Sequence, residues 1–465
     1  MNTIRSFNNT LLSYSLFLIA LFLSVNSALY SQVSAGGIPY SFSHSNLSQK
    51  IQTFSLPPVN TDSLIKADKK YDDKPLQYGY PIRVDVGLKN SGNWDTVVGG
   101  GRLWRLRIIS LGAYSLNLTY DKFWLPKGAT FFLYSNDKKK ILGAFNENNN
   151  KSHGKFATDI IKGEVIILEY YEPPNTVKSG EININRVIHG YKEIGCGSSQ
   201  SCNNNVNCTV GKPWFNEINS VAMILNAGGG LCSGCLVNNE EEDLKQYFLT
   251  ANHCFDGDED SWIFRFNYQS PGCTTKCDSS PTNFTVSGAT LKARNDASDF
   301  FLLELQETIP DSYKVHYAGW YKEDIAAIKS VGIHHPKGDV KKISFDNDIA
   351  TSNADIIYWY GGTQSAPNTH WQVIFDNGIV EQGSSGSPLF NENHLVSGQL
   401  HGGNLTCYGG GYNYYGKLSV SWDYNSNYSK QLKHWLDPGS SGLSSVKQIA
   451  AYDMTIKNKL FIGQF

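Results

Sequence analysis

At 465 residues the chain is too long for one hydrophobic core, and two or three domains are expected. A formal net charge of −2 with 18% charged residues excludes a nucleic-acid-binding face. Aromatic residues at 13% and 43 glycines point instead to a β-rich, loop-rich exported protein.

Residues 1–28 read as a signal peptide. Arg5 gives a weak basic start, Leu11 to Val25 an apolar core, and Ser27 or Ala28 a small residue for cleavage. Ser13, Tyr14 and Ser15 interrupt the run, which falls short of the roughly twenty apolar residues of a membrane anchor. Secretion without a stable membrane anchor is therefore expected.

Residues 29–195 read as a pro-region. Up to about residue 75 the chain is polar and irregular, with Pro57-Pro58 and a charged run from Lys66 to Lys74, and is expected to be its mobile start. From about 80 to 171 strand patterns follow one another. Trp104, Leu106 and Ile108 alternate with Arg105 and Arg107, and Tyr114, Leu116, Leu118 and Tyr120 alternate with Ser115, Asn117 and Thr119. Such period-two runs predict half-buried antiparallel strands, with Val165 to Leu168 a fully buried one, in a β-sandwich. No catalytic constellation lies in this domain, and its place before the next suggests a folding aid and intramolecular inhibitor. Flexible boundaries are expected at Glu172-Pro173-Pro174-Asn175 and over Gly195 to Asn207, with processing between Arg186 and Gln200, at Lys192.

Three stretches of residues 196–442 carry chemistry. The apolar strand Tyr247-Phe248-Leu249-Thr250-Ala251 ends in Asn252-His253-Cys254, and Asp299 opens the hydrophobic run from Phe300 to Leu305. The third is Gly383-Ser384-Ser385-Gly386-Ser387-Pro388. A serine hydroxyl is a poor nucleophile until a base takes its proton, and that base needs a carboxylate to fix its tautomer. His253, Asp299 and Ser385 supply these roles in the order His…Asp…Ser of chymotrypsin-like proteases. Asp296 competes for the acid role, but Asp299 abuts the apolar run. Gly383 lets its own N–H and that of Ser385 converge on an oxyanion, and Gly386 keeps bulk away from the hydroxyl.

From about Gly197 to Gly442 the sequence resembles the lysyl endopeptidases, secreted bacterial serine proteases. The resemblance is carried by Cys232-Ser233-Gly234, Tyr247 to Cys254, Asn267-Tyr268-Gln269, Ser298 to Leu305, Gly332-Ile333-His334-His335-Pro336, Gly383 to Pro388, Gly398-Gln399-Leu400-His401-Gly402-Gly403 and Trp435-Leu436-Asp437-Pro438. It implies an all-β chymotrypsin-like double barrel with the active site between the barrels. It also implies the disulfides Cys202–Cys407, Cys208–Cys273 and Cys232–Cys254. Of the three cysteines left, Cys235–Cys277 is a plausible fourth bridge, leaving Cys196 in the boundary to depart with the pro-region. Leu400, His401 and Gly402 are expected to bind substrate, with Gly402 and Gly403 leaving the primary pocket open and Trp359 or Tyr360 stacking on His401.

Two positions depart from the family. Its lysine-selecting aspartate lies two residues before a Tyr-Gly pair, where this chain has Asn413. An amide does not neutralise a buried ammonium, so lysine selectivity at P1 is expected to weaken in favour of neutral polar or aromatic residues. Asp423 is a remote substitute. Ser384 stands where digestive chymotrypsin-type enzymes carry an aspartate that receives the new amino terminus, so activation is expected without an inserted terminus.

No cofactor or metal is expected. Cys232-x-x-Cys235, His253-Cys254 and Cys273 to Cys277 admit a zinc reading, but exported thiols pair off, and His334-His335 reads as a loop. Tyr428 to Asp437 reads as one closing helix with Leu432, Trp435 and Leu436 on its inner face, and residues 443–465 form a tail without a motif. The sequence thus predicts a monomeric secreted serine endopeptidase made as a zymogen and acting on protein or peptide substrates. The alternatives are a catalytically silent homologue and a surface adhesin working through the sandwich.

Overall fold

The computed structural model describes residues 34–44, 46–48, 50–69, 75–277, 284–359, 362–403, 407, 411–424 and 426–451. The expected signal peptide, Tyr360 and the last fourteen residues lie outside them. Among the described residues no helix is long and apolar enough to cross a membrane.

The first domain is a two-sheet sandwich. One sheet is ordered Thr53–Ser55, Arg102–Ile109, Val165–Glu172, Thr130–Ser135 and Ile141–Phe145. The other is ordered Ile161–Lys162, Ser115–Trp124, Glu181–Gly190 and Gly79–Gly87. Trp104, Leu106 and Ile108 from one sheet meet Leu116, Leu118 and Tyr120 from the other in one core, as the alternation requires. The expected half-burial is exceeded: Ser115, Asn117 and Thr119 are buried too, while Tyr114 is exposed. Part of the reason is that the outer face of this sheet is covered by the segment just before Gly79–Gly87, whose Tyr78 hydroxyl donates to Asn117 Oδ1 and whose ring joins a cluster with Leu225 and Leu231 of the second domain. The segment expected to be a mobile start is partly built in, with Thr53–Ser55 pairing in parallel with Arg107 to Ile109 and a helix at Thr61–Asp68 capped by Asn60.

The second domain consists of two curved sheets. The first is ordered Thr285–Ser287, Ile263–Arg265, Val221–Leu225, Gly230–Leu236, Tyr247–Ala251, Phe300–Leu305 and Ala289–Asn295. The second is ordered Asn204–Asn205, Lys342–Asp346, Ser330–His334, Pro388–Asn391, Leu395–Gly403, Asn413–Lys417, His370–Val373 and Thr351–Ser352. Leu249, Phe300 and Leu302 from the first pack on Ile333, Phe390 and Val396 from the second in a shared apolar seam. This is the all-β arrangement of two packed half-barrels expected from the sequence.

Two expectations need correction, and the described start of the tail proves to pair with the fold. The closing segment is two short pieces, Tyr428–Lys430 and Lys433–Leu436, because Gln431 turns extended between them, although Leu432 and Leu436 are buried as expected. The tail is stitched into the fold, Ser445–Val446 pairing with Gly319–Tyr321 and Ile449–Ala450 with His316–Tyr317. The bridges Cys202–Cys407, Cys208–Cys273 and Cys232–Cys254 form, but the fourth is Cys196–Cys277 and Cys235 is the free thiol. Cys235 lies in the apolar seam, away from the surface loop that carries Cys277, and burial pushes its thiol pKa up.

Candidate active site

His253 and Asp299 stand at adjacent strand ends, since Tyr247–Ala251 pairs with Phe300–Leu305 through Ala251 and Phe300. Asp299 Oδ2 lies 2.7 Å from His253 Nδ1, and Oδ1 accepts the His253 backbone N–H at 2.9 Å. Asp299 adopts φ of 59°, a left-handed backbone that Asp tolerates better than most residues. It is buried, and burial pushes its carboxyl pKa up while the His253 imidazole opposes that shift. The competitor Asp296 instead accepts from the Asn252 side chain. The Cys232–Cys254 bridge ties the turn carrying His253 to the neighbouring strand.

The turn Gly383–Ser387 abuts these strands. Gly383 and Gly386 have φ of 96° and 81°. A Cβ on Gly386 would lie 2.1 Å from Thr250 Oγ1 and 2.5 Å from the Ser233 carbonyl, so only glycine lets the turn come this close. Ser233 donates its N–H to the Ser385 carbonyl at 2.8 Å and its hydroxyl to the Gly383 carbonyl at 2.9 Å. Among the described hydrogen bonds, neither the Gly383 nor the Ser385 N–H is committed. His253 and Ser385 do not bond each other through their side chains in this substrate-free arrangement. Such contacts tighten when substrate arrives.

His334 is a functional neighbour that the loop reading missed. It ends the strand Ser330–His334 and is fully buried, with Nδ1 2.9 Å from Ser384 Oγ and Nε2 3.1 Å from Ser344 Oγ. Burial lowers its pKa to about 3, so a neutral imidazole braces the residue before Ser385. Glu381, buried at the start of the same turn, pairs with Lys337 at 2.8 Å and accepts the Gln200 N–H at 2.9 Å. The signal available in the sequence was the alternation of Val331 and Ile333 leading into His334.

On the far side of Asp299, His401 stacks on Trp359 with ring centroids 3.6 Å apart and lies parallel to His253 at 5.4 Å. Its Nε2 is 3.7 Å from Asp299 Oδ2. Burial, and then the nearby His253 and His370, hold its pKa well below the usual imidazole range. The Gly402 backbone passes beside the Trp359 ring. Leu400 is turned into the core, its carbonyl accepting from Gly386 and its N–H donating to Ser387, so it braces the nucleophile turn. Asn413 is buried in the strand beside Gly403, and its Oδ1 has no hydrogen-bond partner. Asp423 is spent elsewhere, in an exposed pair with Lys433. Donor atoms of His253, Asp299 and His401 lie within 4.8 Å of one another, a spacing that could hold a cation.

Residues 196–416 match the family described as lysyl endopeptidase, C-terminal domain. The lysyl endopeptidase of Pseudomonas aeruginosa (PAO1) is 29% identical over 376 residues, spanning 71% of this chain and 76% of that protein. Two solved structures are also similar. The MamO protease domain of Magnetospirillum magneticum (apo form) has a TM-score of 0.31 at 14% identity, covering 46% of this chain and 100% of that one. The inactive form of Rv3671c from M. tuberculosis H37Rv has a TM-score of 0.30 at 15% identity, covering 48% and 91%. The fold assignment rests on the sheets described above, and the sequence match supplies the likeness: the second domain is similar to the C-terminal domain of the lysyl endopeptidases.

Proposed function

We propose that the chain is a secreted serine endopeptidase made as a zymogen, with Ser385 as nucleophile, His253 as general base and Asp299 as its orienting carboxylate. The observation that carries this reading is the bidentate hold of Asp299 on His253, on strands packed against the Ser385 turn. With Nδ1–H committed to Asp299, Nε2 is the free base. Ser385 Oγ attacks the scissile carbonyl carbon as its proton passes to Nε2, and the Gly383 and Ser385 N–H groups receive the oxyanion. Collapse returns that proton to the leaving amine and leaves an acyl-enzyme. Water, deprotonated by the same imidazole, then releases the acid and restores the serine.

The unpartnered, buried Asn413 Oδ1 supports a primary pocket that accepts a hydrogen bond without supplying a charge. Neutral polar or aromatic side chains are favoured there over lysine, relative to an enzyme with a carboxylate at this position.

Latency has a physical basis in one strand edge. Along Gly230–Leu236, Tyr247–Ala251 pairs at Cys235 and Leu236, the nucleophile turn docks at Ser233, and Leu76–Gln77 of the pro-region pairs at Gly230 and Leu231. The pro-region strand therefore lies directly beyond Ser385 on the side away from His401 and Asn413, where the leaving half of an extended peptide would add to the sheet. Leu76 and Tyr78 share an apolar cluster with Leu231, and Lys155 pairs across the boundary with Asp258 and Asp260 at 3.3 and 3.1 Å. Release of this strand, with no terminus inserted beside Ser384, is the activating event.

A fluorophosphonate probe should label Ser385 of the processed protein and fail on Ser385→Ala. Absence of labelling in a folded, processed sample would leave a catalytically silent homologue. A peptide panel comparing Lys with neutral residues at P1 tests the pocket.

A further inference from the structure

His370 takes no part in the steps above, yet it is completely buried and joined to the site. It sits in the strand His370–Val373, in the second barrel. Its Nδ1 lies 2.8 Å from Thr369 Oγ1 and its Nε2 lies 3.0 Å from His401 Nδ1. The proton positions follow by elimination. Thr369 has one hydroxyl hydrogen, and it is donated to the Ala366 carbonyl at 2.7 Å. Thr369 Oγ1 can then only accept from His370, so the His370 proton is on Nδ1 and Nε2 is bare. A bare Nε2 must receive its hydrogen bond from His401, which places the His401 proton on Nδ1. The nitrogen of His401 that faces Asp299 is therefore left without a hydrogen.

We propose that His370 is a positioning residue that fixes the tautomer of His401 and so reserves Asp299 for His253. Were the His401 proton on Nε2, it would compete with His253 Nδ1 for Oδ2, the atom now 2.7 Å from one ring and 3.7 Å from the other. Donation from a second imidazole would satisfy the carboxylate, weaken its pull on His253 and make that ring a poorer base. The groups facing His401 are Asp299 and His253 from the first barrel, His370 from the second and the Trp359 ring. Lys417, whose ammonium pairs with Asp324, lies behind His370. Both buried rings are held neutral by desolvation, so the chain of donors persists at working pH.

This inference rests on the triad reading, and its test separates the two. In the full chain with ¹⁵N-labelled histidine rings, the His401 signal, assigned with His401→Gln, should report protonation at Nδ1. In His370→Phe it should move to Nε2, whereas His370→Gln, whose amide oxygen can accept from Nδ1, should keep it. In the processed enzyme His370→Phe should lower kcat/KM about five-fold and shift its acid limb to lower pH, with Gln restoring both. A ring protonated at Nε2 in the unaltered protein, a tautomer indifferent to His370→Phe, or a Gln variant that behaves like Phe would overturn the proposal. Failure of fluorophosphonate labelling would strike the triad and leave the tautomer result standing on its own.

Discussion

The two ends of the cleft treat charge in opposite ways. At the catalytic end a buried carboxylate, Asp299, is compensated by two hydrogen bonds from His253 and shielded by the His401–Trp359 stack. At the end proposed to set selectivity, Asn413 carries a buried amide oxygen with no charge and, among the described residues, no hydrogen-bond partner. The contrast teaches that one fold holds its chemistry and its selectivity separately. The catalytic end needs a fixed network of partners, whereas the pocket is tuned by the identity of a single strand residue.

The strongest way to break the comparison is to remove charge where it is paired. Asp299→Asn should lower kcat about ten-thousand-fold while far-ultraviolet circular dichroism stays unchanged, because the amide stabilises the wrong tautomer of His253. A loss below ten-fold would remove Asp299 from the proposed role. Next, adding charge where it is absent should sharpen the contrast: Asn413→Asp should raise the Lys-to-neutral preference in kcat/KM about a hundred-fold. An unchanged ratio would place the selectivity determinant elsewhere. A third test addresses the covered edge. Leu76→Glu puts a charge into the apolar cluster around Leu231 and should raise the activity of the unprocessed chain about ten-fold. The measurement is hydrolysis of a short peptide ester before processing.

A fourth test reads stability against pH. His334 is neutral in the fold, with its pKa lowered to about 3 from 6.5 by burial. The unfolded chain therefore binds one more proton between those values. Stability is fully present above about pH 6.5 and is lost as pH falls toward 3, at up to about 1.4 kcal/mol per pH unit for this group. His334→Gln should flatten that slope in a melting series from pH 7 to 4, and an unaltered slope would assign the acid sensitivity to other groups.

The proposed catalytic residues could be picked out because each sits at a junction that local pattern marks. An apolar strand ends at His253, an apolar strand begins at Asp299, and glycines bracket Ser385. The sandwich was legible from the alternation of Trp104, Leu106 and Ile108 with Arg105 and Arg107, where one face must be dry. What pattern does not carry is which distant groups meet. His370 follows a turn with no motif around it, and its bond to His401 comes from register between strands far apart in the chain. His334 read as loop because its partners, Ser384 and Ser344, are fixed by packing. The fourth bridge was misassigned for the same reason: Cys196 was set aside for its place in the boundary, but Cys235 points into the seam between the barrels.

If the chain is cut as the proposed zymogen requires, that bridge limits where. Cys196 is tethered to Cys277 inside the protease half. A nick between Gly197 and Gln200 would leave the two products joined by sulfur, and the severed inhibitor would stay beside the cleft at a high local concentration. A nick ahead of Cys196, at Lys192 for example, lets the inhibitor diffuse away and leaves the tether as part of the finished enzyme's amino terminus. Only in the first case would reduction of the matured protein release a second, smaller band on a gel.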